Sequence, residues 1–133
     1  MSTTGFDPRR FKALERAGFN RIATRYADGA HLRAELASAV LDAAALTPGL
    51  RVLDLASGPG LLARPAAGRV APGGWVIATD IAEAMLAHAR EADDSGLISF
   101  AAADAEHLCL SDACVDRVLA GLALFMFPHP ERA

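Results

Sequence analysis

The pattern of apolar and polar positions along the chain changes once, at the helix-breaking sequence Thr47-Pro48-Gly49. Before this point, apolar residues recur at helical spacing and predict three amphipathic helices. Asp7-Pro8 is expected to begin the first helix and Gly18 to end it, because these residue types favour helix starts and ends. A second short helix follows, and the third is predicted over His31–Leu46.

After residue 48, short apolar runs alternate with helical stretches. The predicted strands are Arg51–Ala56, Trp75–Thr79, Leu97–Ala102 and Cys114–Ala120, and the predicted helices between them are Gly60–Val70 and Ile81–Glu91. Such alternation favours an α/β fold with a Rossmann-like, mostly parallel sheet and helices on both faces. Residues 1–48 are expected to pack on the sheet or cap its ligand site, within one domain overall.

Pro65 conflicts with one of these elements. It lies about one turn inside the predicted helix Gly60–Val70, where it removes a backbone donor and crowds the preceding turn. A proline in a helix interior costs about 3 kcal/mol. This helix is therefore expected either to be kinked or to begin later than the apolar pattern indicates.

The first predicted strand ends in a glycine-rich turn, Ser57-Gly58-Pro59-Gly60. A strand that turns through glycines into a helix brings free backbone N–H groups to one point, which suits a nucleotide-like or carboxylate-bearing ligand. Asp80 ends the next strand, twenty residues after Gly60, where it can accept hydrogen bonds from ribose hydroxyls. Asp54 is a further candidate, because an unpaired buried carboxylate is costly. Together these residues predict a cofactor site.

Composition narrows the classes of protein that fit. The 133 residues are 53% apolar and 22% charged with a net charge of −3, as in a globular protein without the basic face of a nucleic-acid binder. No run approaches the roughly 20 apolar residues of a membrane span, and Met1–Leu14 has no secretory signal. Cys109 and Cys114 form neither a disulfide framework nor a metal-ligand spacing, so a reducing cytoplasm is expected and no metal site.

A series of motifs resembles the class I S-adenosylmethionine-dependent methyltransferases, in particular the group that includes the ubiquinone/menaquinone-biosynthesis methyltransferases. The resemblance covers nearly the whole chain and keeps the order of the family's motifs. The matching stretches are Phe11-Lys12-Ala13 with Tyr26, Val52–Gly60, Ala78–Ile81 with Glu83–Leu86, Asp104-Ala105-Glu106 with Leu108 and Leu110, Asp112–Asp116, and Phe127–Ala133.

The resemblance implies that S-adenosyl-L-methionine is the cofactor and assigns roles to its contacts. The methionine end would be held by Asp54 and by the backbone of Ala56, Gly58 and Gly60. The ribose hydroxyls would bind Asp80, with Ile81 against the adenine face. Asp104 would accept from the adenine amino group, and the Ala105 N–H would donate to a ring nitrogen. Residues 49–133 would thus form the cofactor-binding part of a methyltransferase domain.

Several of these residues also have an ordinary structural interpretation. Gly58 and Gly60 can serve only as a tight turn, and Asp104 can cap the short turn that follows it. Tyr26 fits a core position better than a cofactor lid. His129 matches the place of acceptor-side histidines in some relatives and is the candidate for a catalytic base, although loop histidines are mostly solvated.

The chain departs from the family pattern at two points. Ala56 stands where the general pattern has its first glycine. Family members also continue with three more strands, so this sheet is expected to be truncated after about its fourth strand. That strand would then be an edge beside apolar residues 124–127, which predicts self-association. Cofactor binding is accordingly a firmer expectation than unaided catalysis.

Three functions fit these observations. The leading hypothesis is an S-adenosylmethionine-dependent methyltransferase, or its cofactor-binding portion, acting on a small molecule. The second is an NAD(P)-binding oxidoreductase domain, because Gly58-x-Gly60-x-x-Ala63 also fits the dinucleotide fingerprint. The third is a truncated, non-catalytic methyltransferase-like module that interacts through its open sheet edge.

Overall fold

Four α-helices and four β-strands make up the regular structure of residues 5–133, the part of the chain that this computed structural model describes. The expectations for residues 1–4 lie outside the described residues. The helices are α1 (Pro8–Asp28), α2 (Ala34–Ala43), α3 (Ala63–Val70) and α4 (Glu83–Ala92), and the strands are β1 (Arg51–Leu55), β2 (Trp75–Asp80), β3 (Ile98–Ala102) and β4 (Arg117–Leu119). Single 3₁₀ turns lie at Ala30–Arg33, Leu124–Met126 and Pro130–Arg132.

The strands form one parallel sheet in the order β3-β2-β1-β4. Leu53 in the middle of β1 pairs with Ile77 of β2 and Val118 of β4. The chain first builds outward from β1 to β3 and then returns to the other side of β1, which places the switch of direction between β1 and β4. Parallel sheets of this kind bind ligands at the carboxyl ends of the strands beside that switch. The predicted parallel, Rossmann-like α/β fold is confirmed.

The two faces of the sheet are covered differently. Val52, Val76 and Leu119 belong to a core that α2 and α3 complete with small and branched side chains. Leu53 and Leu55 point to the opposite face, where Ala105, Leu108, Leu110 and Val115 pack against them. This second face is therefore covered by the irregular segment 103–116 rather than by the expected helix. The segment must run from one edge of the sheet to the other, and its sequence has no helical apolar stripe.

Helix α1 is continuous, so the prediction that Gly18 ends a first helix is wrong. Arg16 pairs with Glu83 at 2.7 Å, and the Ala84 N–H donates to Asn20 Oδ1 at 3.0 Å. These contacts anchor α1 to α4 on both sides of Gly18 and outweigh the cost of about 1 kcal/mol for a glycine inside a helix. Although α1 has 21 residues, none of the described helices is long and apolar enough to cross a membrane.

Helix α3 begins at Ala63, later than the apolar pattern indicates. Pro65 is then the third helical residue, in the first turn, where backbone N–H groups have no partner within the helix in any case. The chain between residues 59 and 62 forms turns instead of a helix. The late start resolves the conflict at Pro65 without a kink.

Strand β4 is shorter than predicted, with three residues instead of the seven of Cys114–Ala120. Ala113 and Leu122 adopt φ angles of 54° and 52°, which break the extended backbone on both sides of the strand. The Asp116 carboxylate accepts hydrogen bonds from the Arg51 backbone and guanidinium and fixes the start of β4 against β1. Among the described residues, β4 pairs with β1 alone.

Candidate functional site

The carboxyl ends of β1, β2 and β3 border two adjoining cavities. The edge cavity lies under α1 and is lined by Phe11, Lys12, Asp80, Ile81, Asp104 and Ala105, among others. The loop cavity lies between the start of α2 and the glycine turn, and Arg33, Leu36, Asp54, Ser57 and Pro59 contribute to it. Five residues line both cavities, namely Tyr26, Ala56, Gly58, Gly121 and Leu122. The two cavities therefore form one branched cleft around the glycine turn.

The glycine turn takes a left-handed path. Ala56 and Gly58 have φ angles of 51° and 56°, and Gly60 has a φ of 89°. Glycine adopts this region freely, whereas a residue with a Cβ pays about 1–2 kcal/mol. A Cβ on Gly60 would also lie 3.3 Å from the Ala89 Cβ of α4. Gly60 thus allows the turn to pack against α4, and it lines neither cavity.

Ala56 is the strained residue of this turn. We expect Ala56→Gly to raise the free energy of unfolding by about 0.5–1 kcal/mol, because relief of the left-handed strain exceeds the entropy that glycine loses on folding. Ala39→Gly, at an exposed position of α2, is the matched control and should lower it by about 1 kcal/mol. Urea unfolding measures both. If the two variants were destabilised alike, strain at Ala56 would not be the cause.

Asp80 holds the turn to the end of the second strand. Its Oδ2 accepts from the Gly58 N–H at 2.9 Å and its Oδ1 from the Ala82 N–H at 2.8 Å. The side chain is 9% exposed, and this burial raises the pKa of Asp80 despite the backbone donors. Each carboxylate oxygen keeps a second lone pair that can accept from a ligand hydroxyl. The predicted ribose-binding residue therefore also shapes the turn.

Asp54 is the least satisfied polar residue of the site. It is 1% exposed, and neither carboxyl oxygen has a hydrogen-bond partner among the described residues. Burial and the nearby Asp80 carboxylate raise the pKa of Asp54 to about 8. The Ser57 hydroxyl and the Ala63 N–H lie close enough to oppose this rise, but neither is in hydrogen-bond geometry with the carboxyl. Buried polar groups are ordinarily hydrogen-bonded. A carboxyl that borders a cavity without any partner is suited to receive a ligand's donor group.

Asp104 lies at the other end of the cleft in a charged cluster. Its Oδ2 is 2.7 Å from Lys12 Nζ, and its Oδ1 accepts from the Glu106 N–H at 3.0 Å. Burial acts to raise the pKa of Asp104, but the hydrogen bonds from Lys12, Glu106 and His107 outweigh it and leave the pKa below its usual value. Lys12 Nζ also lies 3.0 Å from the buried Glu106 Oε2. One lysine on α1 thus serves two carboxylates beside the edge cavity.

Loss of that lysine should destabilise the protein in a pH-dependent way. We expect Lys12→Met to lower the free energy of unfolding by about 2–4 kcal/mol at neutral pH, because it leaves two poorly solvated carboxylates without a cation. The lowered pKa of Asp104 means that the pair stabilises the fold above pH 4 and stops doing so as the pH falls further. The difference from wild type should therefore shrink on acidification.

Thermal and urea unfolding between pH 3.5 and 7 measure this effect. Arg10→Met is the control, because Arg10 is exposed on the same helix and has no acidic partner within the described range 5–133. Equal stability of the Lys12 variant and wild type at pH 7 would contradict the expectation.

The remaining predicted residues divide between the cleft and its surroundings. Ile81 and Ala105 line the edge cavity, as a site for a flat ring requires. Tyr26 has both a core contact and a place in the cleft. Its ring packs edge-on against Phe19, with the ring centres 6.0 Å apart, and it lines both cavities. His129 lines neither of them; its Nδ1 lies 3.4 Å from Glu131 Oε1 in the loop beyond. Its role as a catalytic base stays a prediction.

The family of the chain follows from sequence comparison. A family model described as "Methyltransferase domain" matches residues 52–133, from β1 to the last residue, and so includes the glycine turn, Asp80 and Asp104. The chain belongs to this methyltransferase family. S-adenosylmethionine is the family's methyl donor, and the resemblance predicted from the motifs is confirmed.

Individual methyltransferases show the extent of the match. The ubiquinone/menaquinone biosynthesis C-methyltransferase UbiE of Bordetella parapertussis is 45% identical over 92 residues, which cover 68% of this chain and 36% of the relative. The nocamycin O-methyltransferase of Saccharothrix syringae is 37% identical over 114 residues, or 83% of this chain and 41% of the relative. The chain thus spans less than half the length of either relative.

A solved methyltransferase supports the same fold. The crystal structure of an S-adenosylmethionine-dependent methyltransferase from Aquifex aeolicus superposes with a TM-score of 0.66 and 24% identity, covering 96% of this chain and 63% of that one. At this identity the likeness concerns the fold. It extends over the N-terminal helices as well as the sheet.

The sequence pattern did not predict three polar residues of the cleft. Lys12 and Glu106 belong to motifs that gave them no role of their own, although both border the edge cavity. Arg33 borders the loop cavity and had no sequence signal, because an arginine between two helices is usually solvated. The apolar Met126 and Phe127 also line the edge cavity, where the sequence indicated only an apolar continuation.

Proposed function

We propose that the chain binds S-adenosylmethionine in the branched cleft and forms the cofactor-binding part of a methyltransferase that acts on a small molecule. The adenosine part would lie in the edge cavity, near Asp80 and Asp104, and the methionine part in the loop cavity, near Asp54. The observation that carries the proposal is the buried, unpartnered Asp54 carboxyl at one end of a cleft whose other end presents Asp80 and Asp104.

The residues of the cleft suit the groups of this cofactor. Asp80 can accept from the ribose hydroxyls, Ile81 offers an apolar surface for adenine, and Asp104 can accept from an exocyclic amine. Ala56 and Gly58 present backbone at the junction of the two cavities, where the sulfur would lie. When bound, S-adenosylmethionine supplies a methyl group on a sulfonium, and its transfer by in-line displacement depends chiefly on the positioning of donor and acceptor.

The class of acceptor is part of the proposal. The two curated relatives described above carry the names of small molecules, ubiquinone/menaquinone and nocamycin. The apolar Phe11, Met126 and Phe127 line the edge cavity beyond the predicted cofactor contacts and suit an apolar acceptor. His129 is proposed as the base for an acceptor proton, at a position in the loop directly after Pro128, which lines the same cavity.

Two ligand titrations test the proposal. Isothermal titration calorimetry with S-adenosylhomocysteine should show stoichiometric binding, whereas NADH should produce no saturable heat. Binding of NADH alone would reverse the assignment in favour of the oxidoreductase hypothesis. Transfer of a labelled methyl group from S-adenosylmethionine to small phenols and quinols then tests catalysis by this chain; binding without transfer would favour the non-catalytic module.

Self-association through the β4 edge belongs to the same proposal. Val118 on β4 is 55% exposed, and the nearby Leu124 and Phe125 are 50% and 78% exposed, which gives this edge more apolar surface than a strand in water normally presents. Sedimentation velocity of wild type and Phe125→Ser should show a concentration-dependent dimer that the variant weakens. A monomer at every concentration would refute this part.

Location and organisation complete the proposal. A cytoplasmic location accords with the two cysteines, Cys109 and Cys114, both of which are free thiols. No nucleic acid is proposed as a partner, because the cleft presents more acidic than basic side chains. We place the boundary between the helical cover, which consists of α1, the turn Ala30–Arg33 and α2, and the cofactor-binding part near residue 48, within one folding unit.

A further inference from the structure

The loop cavity contains one acidic and one basic side chain with different surroundings. Asp54 lines the cavity, is 1% exposed and has no partner for either carboxyl oxygen among the described residues. Arg33 is half-buried and is the one cationic side chain among the described residues that line this cavity. The two residues come from different parts of the fold, β1 and the turn before α2. The cavity therefore offers both a carboxyl acceptor and a cluster of guanidinium donors to a ligand.

Arg33 is held in place without neutralisation of its charge. Its guanidinium Cζ lies 4.0 Å from the centre of the Tyr26 ring, and its Nη2 donates to the Tyr26 carbonyl oxygen at 3.0 Å. No carboxylate within the described part of the chain lies at ion-pair distance from it. A guanidinium has five N–H donors in a fixed plane, so four remain for water or a ligand. Such a group suits a carboxylate, which it can bind through two parallel hydrogen bonds.

Tyr26 connects this arginine to the glycine turn. The Tyr26 ring carbon Cε1 lies 3.9 Å from the position that a Cβ on Gly58 would occupy, so the ring packs directly over the turn. The stacking of Arg33 on Tyr26 therefore fixes the guanidinium relative to the junction of the two cavities. Cation–π contacts of this kind are worth about 0.5–2 kcal/mol. The arginine is positioned before any ligand arrives.

A ligand group that matches this cavity must carry a carboxylate and a hydrogen-bond-donating amine a short distance apart. The α-amino acid end of the cofactor has both. We propose that Arg33 binds the α-carboxylate of the cofactor's amino-acid end while Asp54 receives the α-ammonium. This inference rests on the proposed function and adds to it a specificity residue from the helical cover. It also explains why the orphan carboxyl and the unneutralised arginine border the same cavity.

Truncated ligands separate the two ends of the cofactor. S-adenosylhomocysteine carries the whole amino-acid end, its decarboxylated analogue S-adenosyl-3-thiopropylamine lacks only the carboxylate, and 5′-methylthioadenosine lacks both charged groups. We expect Arg33→Ala to weaken binding of S-adenosylhomocysteine by about 10- to 100-fold, the range for loss of a charged hydrogen-bond pair. Binding of the other two ligands should change by less than about threefold, because neither has a carboxylate for the arginine to bind.

Matched variants complete the calorimetric test. Arg21→Ala removes an exposed arginine of α1 that lines neither cavity and should leave binding of all three ligands unchanged. Arg33→Lys should retain part of the affinity. If Arg33→Ala fails to give a native circular dichroism spectrum, Arg33→Gln retains the aliphatic stem over Tyr26 and takes its place.

The possible failures are distinguishable. Equal weakening of all three ligands would overturn the inference and assign Arg33 to the support of Tyr26. Unchanged binding of S-adenosylhomocysteine would overturn it directly. Failure of the wild-type chain to bind any of the three ligands would instead overturn the proposed function.

Discussion

Asp54→Asn should make the protein more stable and abolish its binding of the cofactor. The substitution keeps the size of the side chain and removes the charge that the fold must otherwise suppress. At neutral pH we expect the free energy of unfolding to rise by about 2–4 kcal/mol, while the affinity for S-adenosylhomocysteine falls by at least about 30-fold, because asparagine cannot ionise to an anionic acceptor when the ammonium binds.

The stability gain has a defined dependence on pH. Burial raises the pKa of Asp54 from 3.8 to about 8. Between these values the unfolded chain releases the proton and the folded chain retains it, so wild-type stability falls by up to about 1.4 kcal/mol for each pH unit. Asparagine does not titrate. The advantage of the variant should be near zero at pH 4, grow as the pH rises and level off above about pH 8.

Urea unfolding of wild type and Asp54→Asn from pH 4 to 9 measures the difference in their free energies of unfolding. Isothermal titration calorimetry measures their affinities for S-adenosylhomocysteine. Asp112→Asn is the control, because Asp112 is exposed in the segment before β4 and makes no hydrogen bond within the described residues. Two parallel stability curves would show that Asp54 is not protonated in the fold. Undiminished affinity for S-adenosylhomocysteine would remove Asp54 from the site.

Asp80→Asn should lower both stability and binding. The wild-type carboxylate accepts from Gly58 and Ala82 with different oxygens, whereas the amide nitrogen of asparagine would face one of these N–H groups as a second donor. We expect the free energy of unfolding to fall by about 2–4 kcal/mol, since one buried N–H is left without an acceptor. Affinity for S-adenosylhomocysteine should fall by about 100-fold or more, because the turn and the ribose acceptor are both altered.

The control for Asp80→Asn is a carboxylate that accepts a similar backbone hydrogen bond outside the cleft. Asp93 accepts from the Ser95 N–H at 3.0 Å on the surface after α4, so Asp93→Asn should cost less than about 1 kcal/mol and leave binding unchanged. Binding is measured at a temperature at which circular dichroism shows both variants folded. A folded Asp80→Asn protein with wild-type affinity would refute the role of Asp80 at the ribose.

The architecture of the sheet was predictable because its signals are local. Strands β1, β2 and β3 are short apolar runs between strong turn sequences, and glycines mark the turn at residues 57–60. Asp54 and Asp80 lie in the last two residues of β1 and β2, and Asp104 follows β3 by two residues; parallel strands bring such ends together. The candidate acidic residues could therefore be found without knowledge of the packing.

The sequence-based predictions failed where contacts between residues distant in the chain decide the structure. Gly18 is a helix terminator by local propensity, but Arg16 and Asn20 attach α1 to α4 on either side of it. The length of β4 depends on the left-handed residues Ala113 and Leu122, which the apolar pattern cannot reveal. Lys12 and Arg33 were missed for a related reason, since their importance comes from partners distant in sequence or from a ring stacked below them.

Helix α1 also bears on how this protein can change in evolution. Its Phe11, Lys12 and Tyr26 line the same cleft as Asp80 and Asp104, so the helical cover contributes part of the lining of the cleft. Sequence drift in α1 would then alter the shape of the cleft without disturbing the strands that carry Asp54 and Asp80. Because Tyr26 and Arg33 also border the cavities, recombination near residue 48 would replace one wall of the cleft while it preserves the other.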